Sequence, residues 1–384
     1  MTVRAPGPRI LEELGARLRG LEAEQRTRKL SSRVGIDFCS NDYLGFASSA
    51  ALARSIAERI RESTVPLGAP ASRLLGGTTD AHARLEARLA RFKDAEAALL
   101  FPSGYQANLA LITALVGSED RVLSDALNHA SLIDGVRLAR PRTRVTFPHV
   151  DPAAVARALD EPHSTGHTFL ITEAIFSMDG DRAPLDAYAA LCRRAGAGLI
   201  VDEAHATGLY GARGSGCVEE LGLTREVLAT VTTFGKSFGF AGACVSGPRV
   251  VIDTLVQRSR PLIYSTAVPP LLLCAVEAAL DLLEADPTRG RRASALAERL
   301  RGRLRVAGLD VRGEASPIVL VVLGDEARAL QVGAALARRG FAVGAVRAPT
   351  VPPGSARLRI SVHADRSEEE VDALAVAVLA EVCR

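Results

Sequence analysis

Lysine is scarce in this 384-residue chain. Only Lys29, Lys93 and Lys236 occur, so nearly all of the 47 basic residues are arginine. Arginine does not lose its proton, whereas a lysine held in an enclosed site can be pushed toward neutrality and attack a carbonyl. Other absences narrow the function further. No run of about 18 apolar residues offers a membrane span, and the N-terminus opens with Arg4, Pro6 and Pro8 instead of an apolar signal core. The net charge is only +3 and the 44 acidic residues are interspersed, so no basic face argues for nucleic acid. The six cysteines form no C-x-x-C pair and are expected to be free thiols, without zinc or redox work. No repeat or low-complexity tract is visible. The expectation is a cytoplasmic chain whose partner is a small molecule, with no nucleic acid, membrane or metal.

What is present centres on residues 228–243. Ala229-Thr230-Val231-Thr232-Thr233-Phe234 is β-branched and apolar, as a buried strand requires. Gly235-Lys236-Ser237-Phe238-Gly239 follows as a glycine-punctuated loop, so a lysine leaves a sheet edge in a tight turn. Gly235-Lys236-Ser237 is half of a phosphate-binding P-loop, but Thr230 stands where its first glycine is needed. Asp202-Glu203-Ala204-His205 spells an ATPase box that has nothing to act on without that loop. Gly211-Ala212-Arg213-Gly214-Ser215-Gly216 is not placed at a first strand-to-helix turn, which discounts a nicotinamide site.

Periodicity organises the rest. Ile10, Leu11, Leu14, Leu18 and Leu21 predict an amphipathic N-terminal helix, followed by a short strand over 36–40 and a second helix near 51–62. From residue 82 helical and strand patterns alternate, with strands expected at 97–101, 121–124, 143–147, 167–175, 198–201, 229–234 and 243–245. Such alternation implies an α/β fold with a mainly parallel seven-stranded sheet flanked by helices, its crevice outside the carboxyl ends of the strands. After residue 280 the texture changes to a smaller α+β domain. The expected division is an N-terminal helical arm at 1–45, a large domain at 46–280 and a small C-terminal domain at 281–384.

The chemical groups fall at the predicted strand ends. Gly104 and Tyr105 open a helix whose free N–H groups could hold a phosphate. Asp202 ends one strand, His205 follows it, Ser177 follows another, and Thr233 and Lys236 follow a third.

Six segments in order resemble the α-oxoamine synthases: Ser40-Asn41-Asp42-Tyr43-Leu44-Gly45, Pro102-Ser103-Gly104-Tyr105-Gln106-Ala107-Asn108, Asn128-His129-Ala130-Ser131, Ser177-Met178-Asp179-Gly180-Asp181, Asp202-Glu203-Ala204-His205-Ala206-Thr207-Gly208 and Thr233-Phe234-Gly235-Lys236-Ser237-Phe238-Gly239. The resemblance spans nearly the whole chain. It implies a fold-type I transferase dependent on pyridoxal 5′-phosphate (PLP). It implies that Lys236 carries the cofactor and moves the Cα proton, that Asp202 pairs with the pyridine nitrogen, that His129 stacks on the ring and that His205 hydrogen-bonds the ring oxygen. Gly104, Tyr105, Ser177 and Thr233 would line the phosphate side, while Ser265 and Thr266 would reach the phosphate of a neighbouring subunit in a homodimer.

On the substrate side, Arg359 would clamp the amino-acid carboxylate with Asn41 beside it, and Arg347 and Thr350 would face the acyl group. Arg26, or else Arg28, would match a substrate-contacting arginine of the N-terminal arm. The segment 347–359 is most similar to the branch that condenses L-alanine with pimeloyl-CoA or its acyl-carrier-protein (ACP) thioester in biotin biosynthesis. The other branches use glycine or serine with different acyl thioesters.

Overall fold

A computed structural model describes residues 8–383 apart from 25, 29, 31, 33, 63, 65, 163–165 and 314–315. Lys29 therefore lies outside the described residues, and Lys93 and Lys236 are the two lysines within them.

Twelve strands form two sheets among the described residues. The larger contains β2 (Ala97–Phe101), β3 (Arg121–Asp125), β4 (Thr143–Phe147), β5 (Thr168–Glu173), β6 (Gly198–Asp202), β7 (Ala229–Thr233) and β8 (Ala243–Gly247), in the order β2-β8-β7-β6-β5-β3-β4. Only β8 runs antiparallel to its neighbours. The six parallel strands therefore point their carboxyl ends the same way. β2 and β3 are buried at every position, the mark of strands covered on both faces.

Alternation along the strands divides the core. Ile171, Ile200 and Val231 pack with Leu111 and Ile112 on one face, while Leu170, Leu199 and Val201 pack with Val155 and Tyr188 on the other. Each fully buried Leu or Ile contributes about 1.5–3 kcal/mol, so register is strongly fixed. On the first face, the helices Gly104–Leu115 and Ala130–Ala139 touch closely at Gly135. A Cβ there would come within 2.8 Å of Ile112 Cδ1. That contact sets the two helix N-termini, and with them Gly104 and His129, above the same sheet edge.

The smaller sheet has the order β1-β11-β12-β10-β9, comprising β1 (Ile36–Phe38), β9 (Val311–Arg312), β10 (Ile318–Gly324), β11 (Phe341–Val346) and β12 (Ala356–Ser361). Its edge strand β1 comes from the N-terminal segment and pairs parallel with β11 through Ile36–Phe341 and Phe38–Val343. A few residues on, Tyr43, Leu44 and Phe46 enter the core beside Phe234, Phe238 and Leu273. The N-terminal segment thus joins one sheet and then packs beneath the other. Between the two sheets in sequence, the helix Pro270–Ala285 runs unbroken through residue 280.

Candidate active site

The crevice at the carboxyl ends of the parallel strands collects groups from five of them. After β2, Ser103 caps the helix Gly104–Leu115, its hydroxyl accepting from the Gln106 N–H, which leaves the Gly104 and Tyr105 N–H groups for another partner. A Cβ on Gly104 would stand 3.4 Å from the Thr233 side chain, so the turn and the end of β7 form one concave cradle. Thr233 Oγ1 donates to the Gly242 carbonyl and accepts from the Gly235 N–H, holding the lysine loop against the sheet.

Asp202 ends β6 almost wholly buried, and both carboxylate oxygens are engaged. Asn108 Nδ2 donates to Oδ2 at 2.7 Å and the Ala204 N–H to Oδ1 at 2.9 Å. Asn108 is itself set one turn into the first helix and also bonds Ser131 Oγ at 2.9 Å. The carboxylate is thereby fixed in direction before any ligand arrives.

Burial drives the Lys236 amine down to about 8, with Arg359 lowering it further and the Asp202 and Glu173 carboxylates opposing. An ordinary lysine would be almost wholly charged at neutral pH, whereas this one keeps a usable neutral fraction. His205 is buried and held well below the usual imidazole range by burial, then by Lys236, Arg359 and His129. His129 caps the helix Ala130–Ala139, with Nδ1 bonded to Ser131 Oγ at 2.7 Å and its ring edge-on to Tyr105 at 6.4 Å. Its pKa is lowered by desolvation and by Lys236, against the pull of Asp202.

The small sheet closes the crevice. Arg359 on β12 is buried; its Nε donates to the Ser177 carbonyl at 2.7 Å and its Nη1 to Ser361 Oγ at 3.0 Å, while Nη2 is buried without a partner. A buried guanidinium N–H group left open is a donor awaiting an acceptor, suited to a carboxylate. Asn41 lies on the same side through its contact with Tyr43, whose hydroxyl is 3.3 Å from Asn41 Oδ1.

Other expected positions are more peripheral. Arg347 Nη2 donates to the Thr27 carbonyl, tying the C-terminal region to the N-terminal arm, and the Thr350 N–H bonds the Arg347 carbonyl. Arg26 is exposed beside Glu24, with Glu326 at 4.0 Å. Ser265 is half-buried and Thr266 exposed, and Thr266 bridges to Ser72. Tyr105 donates its hydroxyl to Asp134.

Sequence reading missed three groups. Asn108 and Tyr43 stood inside quoted motifs without a role. Glu173, paired in register with Asp202, is buried at the end of β5 with Oε1 unpartnered, and burial, then Asp202, pushes its pKa well up. The signal for Glu173 was available: a carboxylate ending an apolar run, as Asp202 does.

The Ser177 loop has its own clamp. His149 bonds Asp125 Oδ1 through Nδ1 at 2.8 Å and Asp181 Oδ2 through Nε2 at 2.7 Å, edge-on to Phe176. Burial would lower its pKa, but the two carboxylates raise it to about 10. Its folded pKa exceeds the unfolded value of about 6.5. The stabilisation is therefore complete below about pH 6.5 and is lost as pH climbs through about 10. His149→Gln should accordingly cost stability at pH 6 and progressively less toward pH 10, read as the difference in melting temperature between the two proteins across that range. A constant difference would show that the bridge carries no charge.

This fold, with a lysine and a paired carboxylate at adjacent strand ends, defines a fold-type I PLP enzyme, and the chain belongs to the aminotransferase class I and II family, whose model matches residues 33–378. It is 43% identical to the 8-amino-7-oxononanoate synthase of Anaeromyxobacter dehalogenans over 96% of this chain and 95% of that one. Among solved structures, a serine palmitoyltransferase (SPT) containing PLP superimposes with a TM-score of 0.89 at 27% identity, covering 96% of each chain. The 8-amino-7-oxononanoate synthase of Francisella tularensis superimposes with 0.77 at 28% identity, covering 91% of this chain and 98% of that one. Among the described residues no helix is long and apolar enough to cross a membrane, and no group of three or more His, Cys, Asp or Glu is placed to hold a metal.

Proposed function

We propose that the protein catalyses the decarboxylating condensation of L-alanine with pimeloyl-CoA, or the equivalent ACP thioester, giving 8-amino-7-oxononanoate, carbon dioxide and the free thiol in biotin biosynthesis. The observation that carries this reading is buried Arg359, with Nη2 open, acting electrostatically on the depressed Lys236, in a chain 43% identical to a synthase of that name. The residues present fit PLP: a concave cradle with free helix N–H groups for its phosphate, a fixed carboxylate for its ring nitrogen and an amine of lowered pKa for its aldehyde carbon.

When bound, PLP supplies the electron sink that makes a carbanion at the amino-acid Cα accessible. The protein does the rest. Lys236 Nζ would hold the cofactor's aldehyde carbon and, once released, take the Cα proton and later return one. Asp202 would keep the ring nitrogen protonated; Asn108 and the Ala204 N–H prevent the carboxylate from turning away. His129 would lie against the ring face, and His205 would donate to the ring oxygen. Gly104, Tyr105, Ser177 and Thr233 would receive the phosphate.

Arg359 and Asn41 would fix the alanine carboxylate; Arg347, Thr350 and Arg26 would face the acyl chain. Overall, the alanine Cα bonds to the acyl carbon, the thiol leaves, and the resulting β-keto acid loses carbon dioxide. Ser265 and Thr266 would complete the phosphate site of a second copy, so the working unit in this reading is a homodimer.

A second reading is a family member using glycine or serine, such as a glycine C-acetyltransferase, 5-aminolevulinate synthase or serine palmitoyltransferase. The higher TM-score to SPT favours it. Backbone similarity at 27–28% identity reports shared fold more than shared substrate, however. One methyl group on the amino acid is worth only about 1–3 kcal/mol of discrimination, so the test is direct. Free thiol released from pimeloyl-CoA by the PLP-loaded protein should appear rapidly with L-alanine and far more slowly with glycine or L-serine. Release with serine or glycine in preference to alanine would move the protein to the second reading.

The carboxylate clamp has its own test. Arg359→Lys should raise KM for alanine by about 10- to 100-fold, as loss of a charged bidentate contact predicts, while PLP binding, followed by its visible absorption, stays intact. Unchanged alanine kinetics would remove Arg359 from the site.

A further inference from the structure

Tyr43 is fully buried in the core beneath the crevice, beside Leu44, Phe46, Phe234 and Phe238. A phenylalanine would fill that volume, and burying a hydroxyl without a partner costs about 1–3 kcal/mol. The hydroxyl has a partner: it lies 2.6 Å from His205 Nδ1. Its other neighbour, Asn41 Oδ1, is at 3.3 Å, a long and weak contact.

The short distance discriminates between donors. Bonds donated by O–H reach down to about 2.5 Å, whereas those donated by a neutral N–H seldom fall below about 2.7 Å. A separation of 2.6 Å suits an O–H donor, so the geometry favours the tyrosine as the donor. The surrounding charge agrees. Burial first, and then the cations of Lys236 and Arg359, keep His205 neutral, so its ring carries one N–H and not two. Burial pushes the Tyr43 phenol up to about 12, so it keeps its proton at working pH. Arg359 acts on both side chains, and a guanidinium can only donate, so the phenol can meet it only as an acceptor.

We propose that Tyr43 is a positioning residue: its hydroxyl donates to His205 Nδ1 and so fixes the imidazole as the Nε2–H tautomer, making Nε2–H the ring's free donor. Among the described residues nothing hydrogen-bonds Nε2, so that donor is available to a ligand. The consequence for catalysis rests on the PLP reading, in which His205 must donate to the ring oxygen. In the other tautomer Nε2 would present a lone pair to that oxygen and repel it. The arrangement also links Arg359, on the small sheet, to His205 through one side chain. The clamp for the substrate carboxylate and the donor for the cofactor thus share a fixed neighbour.

The test reads the tautomer itself. In PLP-loaded protein carrying 15N-labelled histidine, with the His205 signals identified by their loss in His205→Asn, the 15N shifts should show Nε2 protonated and Nδ1 bare. Tyr43→Phe should mix the two tautomers and lower kcat about 10- to 100-fold, by analogy with the loss on removing a hydrogen-bond partner that orients a metal-bound histidine. KM for the amino acid should stay roughly unchanged. An Nδ1–H ring in the unsubstituted protein would overturn the proposal, and would do so even if Tyr43→Phe failed to fold. So would a Tyr43→Phe variant that keeps the Nε2–H form. The 15N measurement needs no turnover, so absence of thiol release with every amino acid would count against the proposed reaction and leave the tautomer result standing.

Discussion

Lys236→Ala should lose at least about 10^4-fold in turnover, the upper range for removing a positioned general base, with loss of the covalent hold on the cofactor added to it. The physical reason is that among the described residues no other amine can substitute. Lys93, the other described lysine, has its Nζ committed at 2.5 Å to both Glu203 Oε2 and the Ser215 carbonyl. Treatment of the PLP-loaded protein with borohydride should accordingly fix the cofactor on the peptide containing Lys236. Recovery of the adduct on Lys93 or Lys29 instead would end the assignment. The variant should still fold, because an amine that burial already holds down to about 8 contributes little that an apolar side chain would not.

Lys93→Met should have the opposite signature, a large loss of stability with the chemistry left in place. Glu203 is completely buried; its Oε2 takes the lysine and its Oε1 accepts the Val218 N–H at 2.9 Å. Removing the lysine leaves an uncompensated carboxylate in the core, a change that costs about 3–5 kcal/mol. Replacing both partners, as Lys93→Met with Glu203→Leu, should recover much of that loss, since two apolar groups need no mutual compensation. Denaturant midpoints of the two variants check both statements; equal stability of the single and double variants would show that the pair is not the cause. The effect on catalysis should be indirect. Glu203 follows Asp202 in the chain and holds the loop from Ser215 to Val218, so the pair anchors the backbone from which Asp202 and His205 project.

Several features of the site were legible without coordinates because they are local. A β-branched run ending in Thr233 and a glycine loop carrying Lys236 dictate a strand and a turn by backbone preference alone. A chain of alternating strand and helix patterns can bury its apolar faces only as a mainly parallel sheet. From that sheet it follows that Gly104, Asp202, Ser177 and Lys236 emerge on one edge. Scarcity of lysine made the last of these conspicuous.

Other features needed the folded chain. That residues 36–38 complete the far sheet depends on a pairing across some 300 positions, which no local pattern encodes. Neither Asn108 nor Tyr43 carries a chemical signal of its own. Each matters because helix packing at Gly135, or the turn after Ser40, brings it within 2.7 Å of a partner about 94 or 162 residues away. The same holds for the lysine itself. Sequence determined that a single amine would stand at this strand end, but only tertiary structure decided its acidity. Burial and the charges of Asp202, Glu173 and Arg359 set that value, and the three charges converge from three separate strands.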